Sequence, residues 1–172
     1  MFTDPLKNLK AFAIREHDIV ADLGAGTGFY AIPAARIAHA GKVYAVELHK
    51  DYLTTIKNYV KEAKLHNIET IWGNAEKLGG TKIADNIVDK VIVSNVFSQL
   101  EDKHKFIAEM GRILKKGGHA LVIDWTPDGH LFNGHKTISK IEMKNLLEAS
   151  SFVWERDIDA NAHHYGMILR KI

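Results

Sequence analysis

Cysteine is absent from the 172 residues of this chain. That absence excludes disulfides, thiolate metal sites, iron–sulfur clusters and cysteine nucleophiles, and it fits a reducing compartment such as the cytoplasm. Long apolar runs are missing as well. No stretch approaches the ~20 residues that a membrane-spanning helix needs, and Met1-Phe2-Thr3-Asp4-Pro5 lacks the charged-then-apolar order of a secretory signal. Charge of one sign is nowhere concentrated. The formal net charge is +2, with Lys and Arg scattered among Asp and Glu, so charge alone points to neither nucleic acid nor a lipid surface. Internal repeats, low-complexity segments and domain-splitting linkers are not found either. What remains, 46% hydrophobic and 26% charged residues, is the composition of a folded globular domain. The expectation is a single domain over residues 1–172, cytoplasmic, with no membrane segment.

One stretch organises the chain: Ile19-Val20-Ala21-Asp22-Leu23-Gly24-Ala25-Gly26-Thr27-Gly28-Phe29-Tyr30. An apolar run ends in an acid, alternating glycines follow, and a helical pattern begins at Ala31. This reads as strand, tight turn and helix, with glycine supplying positive φ and letting a ligand lie against bare backbone. Around it, hydrophobic spacing predicts strands at 18–23, 43–47, 68–72, 88–94, 119–125, 152–158 and 163–169. Helices are predicted from Asp4-Pro5 to about Glu16, after the glycines to about Ala38, over 51–65, from Asp102 through Leu114, and from Ser139 to about Ala149. Residues 77–86 read as a surface connection, and Lys115-Lys116-Gly117-Gly118 as a basic, glycine-marked helix end.

Strands alternating with helices imply a mostly parallel sheet covered on both faces. The last two strands are joined by only Asp159-Ala160-Asn161-Ala162, too short for a crossover, so they must be antiparallel. The fold class expected is α/β: a doubly wound, seven-stranded, mostly parallel sheet with a C-terminal antiparallel hairpin.

Two cofactor classes use such a glycine turn. The register Gly26-x-Gly28-x-x-Ala31 satisfies the loose dinucleotide pattern. The segment from Asp22 to Gly28 resembles the first motif of the class I S-adenosylmethionine-dependent methyltransferases, and the resemblance continues in order along the chain. Glu47 lies nineteen positions after Gly28, at the end of the second strand. Gly73-Asn74-Ala75 resembles the third-strand motif, although the family often has Asp where this chain has Asn74. Asp89 to Asn95 resembles the fourth-strand motif, and Leu114 to Ile123 the "LKPGG" segment leading into strand five. The closing hairpin is also a family feature.

The resemblance implies S-adenosylmethionine as cofactor and S-adenosylhomocysteine as product. It assigns Asp22 to the methionine ammonium, directly or through water, and Gly24, Ala25, Gly26 and Gly28 to the turn beneath the ligand. Glu47 would take both ribose hydroxyls. Asn74 and Ala75 would border adenine, and Asn95, at the sheet edge where ligands sit in open α/β folds, would face the transferring methyl or cap a loop. Leu48 and Phe29 are core or pocket wall; Leu48 is counted with the cofactor contacts.

On the acceptor side the sequence says less. Methyl transfer from a sulfonium asks mainly for alignment and exclusion of water, and a base only when the acceptor must lose a proton first, so no catalytic residue is legible. Asp124, Trp125, His164 and Tyr165 fall on the cofactor edge and either line the acceptor pocket or pack an ordinary loop. Of the ten histidines, His130, His135, His163 and His164 invite a metal reading, but none has a ligand partner at helical spacing, and no metal is expected. Strand four ends Ser94-Asn95-Val96-Phe97, without the Asp-Pro-Pro-Tyr-type segment of enzymes that methylate nucleic-acid amines. The lack of Cys argues against thiol-dependent arsenite methylation. Only the 4–16 helix precedes strand one, so the acceptor pocket is open, completed by a second copy in a homodimer, or suited to a large substrate. The function expected is methyl transfer from S-adenosylmethionine to a small-molecule acceptor. The alternatives are a nicotinamide-dependent oxidoreductase and a non-catalytic methyltransferase-like partner subunit.

Overall fold

A computed structural model describes residues 3–127 and 137–172. The order of elements is α1 (Pro5–Phe12), β1 (Ile19–Leu23), α2 (Ala31–Ile37), β2 (Lys42–Glu47), α3 (Lys50–Glu62), β3 (Ile68–Trp72) and β4 (Val88–Ser94). A short 3₁₀ turn (Phe97–Gln99) then leads to α4 (Lys103–Ile113), β5 (Leu114–Trp125), α5 (Lys140–Glu148), β6 (Phe152–Ile158) and β7 (His164–Lys171). The strands form one seven-stranded sheet in the order β3-β2-β1-β4-β5-β7-β6. The first five are parallel, and β7 runs antiparallel to both β5 and β6. This is the architecture expected from the sequence.

Strand alternation gives the sheet two apolar faces. Ala21, Leu23, Val91, Val93 and Val122 bury one face against Phe106 and Met110 of α4 and Met143 and Leu147 of α5. Val20, Ile92, Leu121 and Ile123 bury the other against Leu9 of α1, Ala31 and Ala34 of α2, and Ile56 of α3. Chain order reverses between β1 and β4, which lie side by side. In open α/β sheets such a switch point leaves a crevice beyond the strand C-termini.

Three local expectations are corrected. Helix α1 opens as expected, with Asp4 accepting the Leu6 and Lys7 N–H groups at 3.0 and 3.2 Å, but it ends at Phe12. Ala13 turns left-handed at φ 54, while Ile14 stays buried beyond the helix, so the apolar spacing outlasts the helix itself. Strand β5 begins at Leu114, earlier than expected. Val88 pairs with Leu114 and Lys90 with His119, so the intervening residues of β5 bulge, with Gly117 at φ 77; the glycines mark a bulge inside the strand. The 77–86 connection is partly interior, because Thr81 and Ile83 are buried beneath α4.

Candidate functional site

The glycine turn is built between β1 and α2 and tied to β2. The N–H groups of Gly24 and Ala25 both donate to the Val46 carbonyl, at 2.9 and 3.0 Å. Gly24 has φ 76, and a Cβ there would lie 2.6 Å from Val96 Cγ2, so this position demands both positive φ and close approach. Gly26 has φ 53, yet a Cβ there would meet nothing within 4 Å: its surface is bare and faces open space. Gly28 lies deeper, packed against Ile32 and Ile56.

Glu47 ends β2 with its carboxylate folded back over this turn. One oxygen accepts the Gly26 N–H at 2.9 Å; the other accepts those of Leu48 and His49 at 2.8 and 2.9 Å. Three N–H donors hold the carboxylate in place, and two carboxylate oxygens still have acceptor capacity left. Beside it lies a hollow of about 390 Å³. Of the residues expected from the sequence, Gly24, Gly26, Glu47, Leu48, Asn74, Ala75 and Asn95 line it. Asp22, Ala25 and Gly28 do not reach its wall. Asn74 also turns the chain after β3, its side-chain oxygen accepting the Glu76 N–H at 2.8 Å. The hollow further gathers Ser94 of the fourth-strand motif, and His49, Tyr52, Val96, Gln99, Leu100 and Phe106, which motif spacing did not reveal. Sequence order offers a hint only for His49 and Val96, which stand just after the second and fourth strand motifs.

Asp22, at the end of β1, is 2% exposed. Burial pushes its carboxyl up to about 7, against the Ala31 N–H, which favours the ionised form, and with help from the Glu47 charge. Next to it on the same face, the Tyr30 hydroxyl receives Asn8 Nδ2 at 2.8 Å and donates to Thr3 Oγ1 at 3.1 Å, which ties α1 and its leading residue over this corner. Asn95 follows β4 in the left-handed region, φ 58, with its N–H on the Ile123 carbonyl and its own carbonyl receiving Gln99 Nε2. Asparagine tolerates this conformation better than most residues, and here it turns the chain out of β4 at the wall of the hollow.

Across the same edge, β5 and β7 pair Asp124 with Tyr165 and Trp125 with His164. Asp124 accepts the Phe97 and Trp125 N–H groups at 3.1 and 2.8 Å, and burial raises its carboxyl to about 6. The His164 ring lies on that of Trp125, centroids 3.9 Å apart, and burial lowers its imidazole to about 4. His130 and His135 lie outside the described residues.

Among the described residues, four buried side-chain polar atoms have no partner: Asp22 Oδ2, Asn95 Oδ1, His164 Nε2 and the Tyr165 hydroxyl. All four belong to the edge where the parallel strands end. Buried polar atoms are nearly always satisfied, so exceptions gathered at one edge call for a water, an ion or a ligand group to complete them.

Comparison with known proteins agrees with this geometry. Residues 21–122, more than half of the chain, match the model of a methyltransferase domain. A demethylmenaquinone methyltransferase of Listeria welshimeri is 32% identical over 119 residues, covering 69% of this chain and 49% of that protein. A ubiquinone/menaquinone biosynthesis C-methyltransferase of Haemophilus ducreyi is 30% identical over 127 residues, covering 70% and 48%. The chain thus spans about half the length of the curated relatives it matches. The crystal structure of a SAM-dependent methyltransferase from Aquifex aeolicus superposes with a TM-score of 0.87 at 25% identity, covering 99% of this chain and 91% of that one.

Proposed function

The chain belongs to the methyltransferase domain family, and on that premise we propose that residues 1–172 act as one S-adenosylmethionine-dependent methyltransferase domain on a small-molecule acceptor. The observation that carries the reading is Asp22 Oδ2, buried and unpartnered beside the glycine turn. A lone buried carboxylate oxygen is costly unless a cationic or hydrogen-bonding group arrives to meet it. The residues fit the cofactor. Asp22, enclosed just behind the wall of the hollow, takes the methionine ammonium directly or through water. Glu47, with acceptor capacity to spare, takes the ribose hydroxyls. Gly24 and Gly26 offer bare backbone beneath the ligand, over a turn that Ala25 and Gly28 close with a hydrogen bond of 2.8 Å. Leu48, Asn74, Ala75 and Asn95 line the hollow; on this reading the first three border adenine, and Asn95, whose N–H donates to the Ile123 carbonyl of β5, faces the methyl.

When bound, S-adenosylmethionine supplies an electrophilic sulfonium methyl. The chain's own contribution is to hold, orient and dehydrate: charge disperses during such a displacement, so alignment and water exclusion supply most of the advantage. The names of the Listeria and Haemophilus relatives support a small acceptor. No helix among the described residues is long and apolar enough to cross a membrane, and the proposal takes the cytoplasm as the protein's compartment.

Calorimetric titration with S-adenosylhomocysteine, with NAD in a parallel cell, tests this reading. Micromolar binding of the homocysteine compound, weakened at least tenfold in Glu47→Ala, is expected. Heat with NAD and silence with S-adenosylhomocysteine would overturn it.

A further inference from the structure

The chain from Asn95 to Leu100 forms one side of the hollow beside the glycine turn, and Asn95, Val96, Gln99 and Leu100 line it directly. Phe97 is buried in the core, its ring edge-on to that of Phe106, itself a lining residue, with centroids 5.3 Å apart. Val96 lies so close to Gly24 that a Cβ on that glycine would come within 2.6 Å of Val96 Cγ2. A shift of this segment therefore bears on the glycine turn as well as on the wall of the hollow.

Bonds inside the segment keep its shape. Gln99 Nε2 donates to the Asn95 carbonyl at 2.7 Å, and the Gln99 N–H donates to the Val96 carbonyl at 2.9 Å. They do not decide where the segment sits. Its far end is steadied from α4, where Lys103 Nζ donates to the Leu100 carbonyl at 3.2 Å. Its near end is placed by β5. The Asn95 N–H donates to the Ile123 carbonyl at 2.9 Å, and the Phe97 N–H to Asp124 Oδ2 at 3.1 Å. The first of these two ties runs from backbone to backbone, and any residue but proline could form it. The second depends on a particular side chain.

Asp124 is 3% exposed and is not among the residues lining the hollow. Two places after Val122 in β5, it shares that residue's face of the sheet, the one packed against α4. Its other oxygen accepts the Trp125 N–H at 2.8 Å. Burial works against a charge here, while the N–H groups of Trp125, Phe97 and Ser98 and the Lys103 ammonium work in its favour.

We propose that Asp124 is a positioning residue for the methyl donor. Through the Phe97 N–H it seats the 95–100 segment against the glycine turn, in the placement that S-adenosylmethionine and S-adenosylhomocysteine fit. It touches neither ligand. This inference rests on the methyltransferase reading above.

Reciprocity supplies a test in wild type alone. If the site is lost whenever the Phe97–Asp124 bond opens, a bound ligand must suppress that opening. Free S-adenosylhomocysteine at about 100 times its Kd should slow hydrogen exchange of the Phe97 amide about 100-fold. The His163 amide, which also donates to a side-chain oxygen but at the β6–β7 turn, is the control and should change by less than about twofold. Asp124→Asn keeps the shape of the side chain but puts an NH2 group, which can only donate, in place of one acceptor oxygen. In that variant Phe97 exchange should quicken and S-adenosylhomocysteine affinity should fall, each at least tenfold, with the circular dichroism of the folded protein unchanged. The proposal is overturned if ligand leaves Phe97 exchange unchanged in wild type, if His163 slows equally, or if folded Asp124→Asn binds within about twofold of wild type. The exchange measurement needs no variant, so it decides even where the substitution prevents folding. Failure of S-adenosylhomocysteine to bind wild type would sink the donor reading, a result distinct from any of these.

Discussion

Glu109 on α4 and Asp22 on β1 are both buried carboxylates, and they are treated in opposite ways. Glu109 is fully enclosed and fully used: it accepts the Gly79 N–H at 2.7 Å, the Thr81 N–H at 3.1 Å and hydroxyl at 2.5 Å, and Arg112 at 2.8 Å. Arg112 goes on to Asp85 and the Ile83 carbonyl, so one side chain pins the whole connection between β3 and β4 to α4. Burial pushes the Glu109 carboxyl up, but these hydrogen bonds outweigh it and hold the group at about 2. Asp22 is just as buried, yet one oxygen has no partner and its carboxyl is pushed up to about 7. A satisfied buried charge organises structure; an unsatisfied one is kept for something that binds.

The two groups also pull stability in opposite directions with pH. The native value of Glu109, about 2, lies below the ~4.3 of an unfolded glutamate. Its contribution is therefore complete above about pH 4.3 and is lost as pH falls toward 2. The native value of Asp22, about 7, lies above the ~3.9 of an unfolded aspartate. Its cost therefore grows as pH rises from about 4 to about 7 and is constant beyond.

The sharpest way to break the contrast is at the satisfied group. Glu109→Ala leaves Arg112 and Thr81 without their partner and should cost about 3–5 kcal/mol in urea unfolding. The folded fraction should bind S-adenosylhomocysteine within about twofold of wild type, because Glu109 lies away from the crevice. A tenfold loss of binding there would mean that the structural role and the ligand role are not separate.

Asp22→Asn should do the reverse. S-adenosylhomocysteine binding should weaken at least tenfold, about 1.4 kcal/mol or more. The ligand-free protein should gain about 1 kcal/mol above pH 7, with no gain near pH 4, where the aspartate is already protonated. Urea titrations at both pH values check the sign, and a destabilised variant at high pH would contradict it.

The smallest expected effect is at Asn95. Glycine there relieves the left-handed φ and should raise stability by a few tenths of a kcal/mol. S-adenosylhomocysteine binding should fall severalfold at most. A loss of stability on Asn95→Gly, read in the same urea assay, would mean that the Asn95 side chain supports the fold.

The fold was legible in the sequence because its signals are local. An apolar run, a glycine turn and a capped helix each announce themselves, and β3, β4 and β6 lie where their spacing predicts. The Asp22–Gly28 turn and Glu47 could be read for the same reason. The errors fall where a long-range contact overrides local pattern. Lys115 to Gly118 reads as a helix end, but pairing with β4 turns it into a bulged strand. The 77–86 connection looks polar and external, because nothing near it in sequence reveals that Glu109, some thirty residues on, draws Gly79 and Thr81 inward. The hollow's other wall was hidden likewise. Gln99 and Leu100 reach it only because the chain after β4 is held by Asp124.

The most direct test of the central claim, that Asp22 is held ready for a cationic ligand group, is the proton released on binding. S-adenosylhomocysteine should be titrated at about pH 6 in two buffers of different ionisation enthalpy, into wild type and Asp22→Asn. Most Asp22 is protonated at that pH, given its native value of about 7. Meeting an ammonium should ionise it, so wild type should release close to one proton and the variant almost none. Equal proton counts and equal affinities in the two proteins would contradict the account and return Asp22 to being a buried strand end.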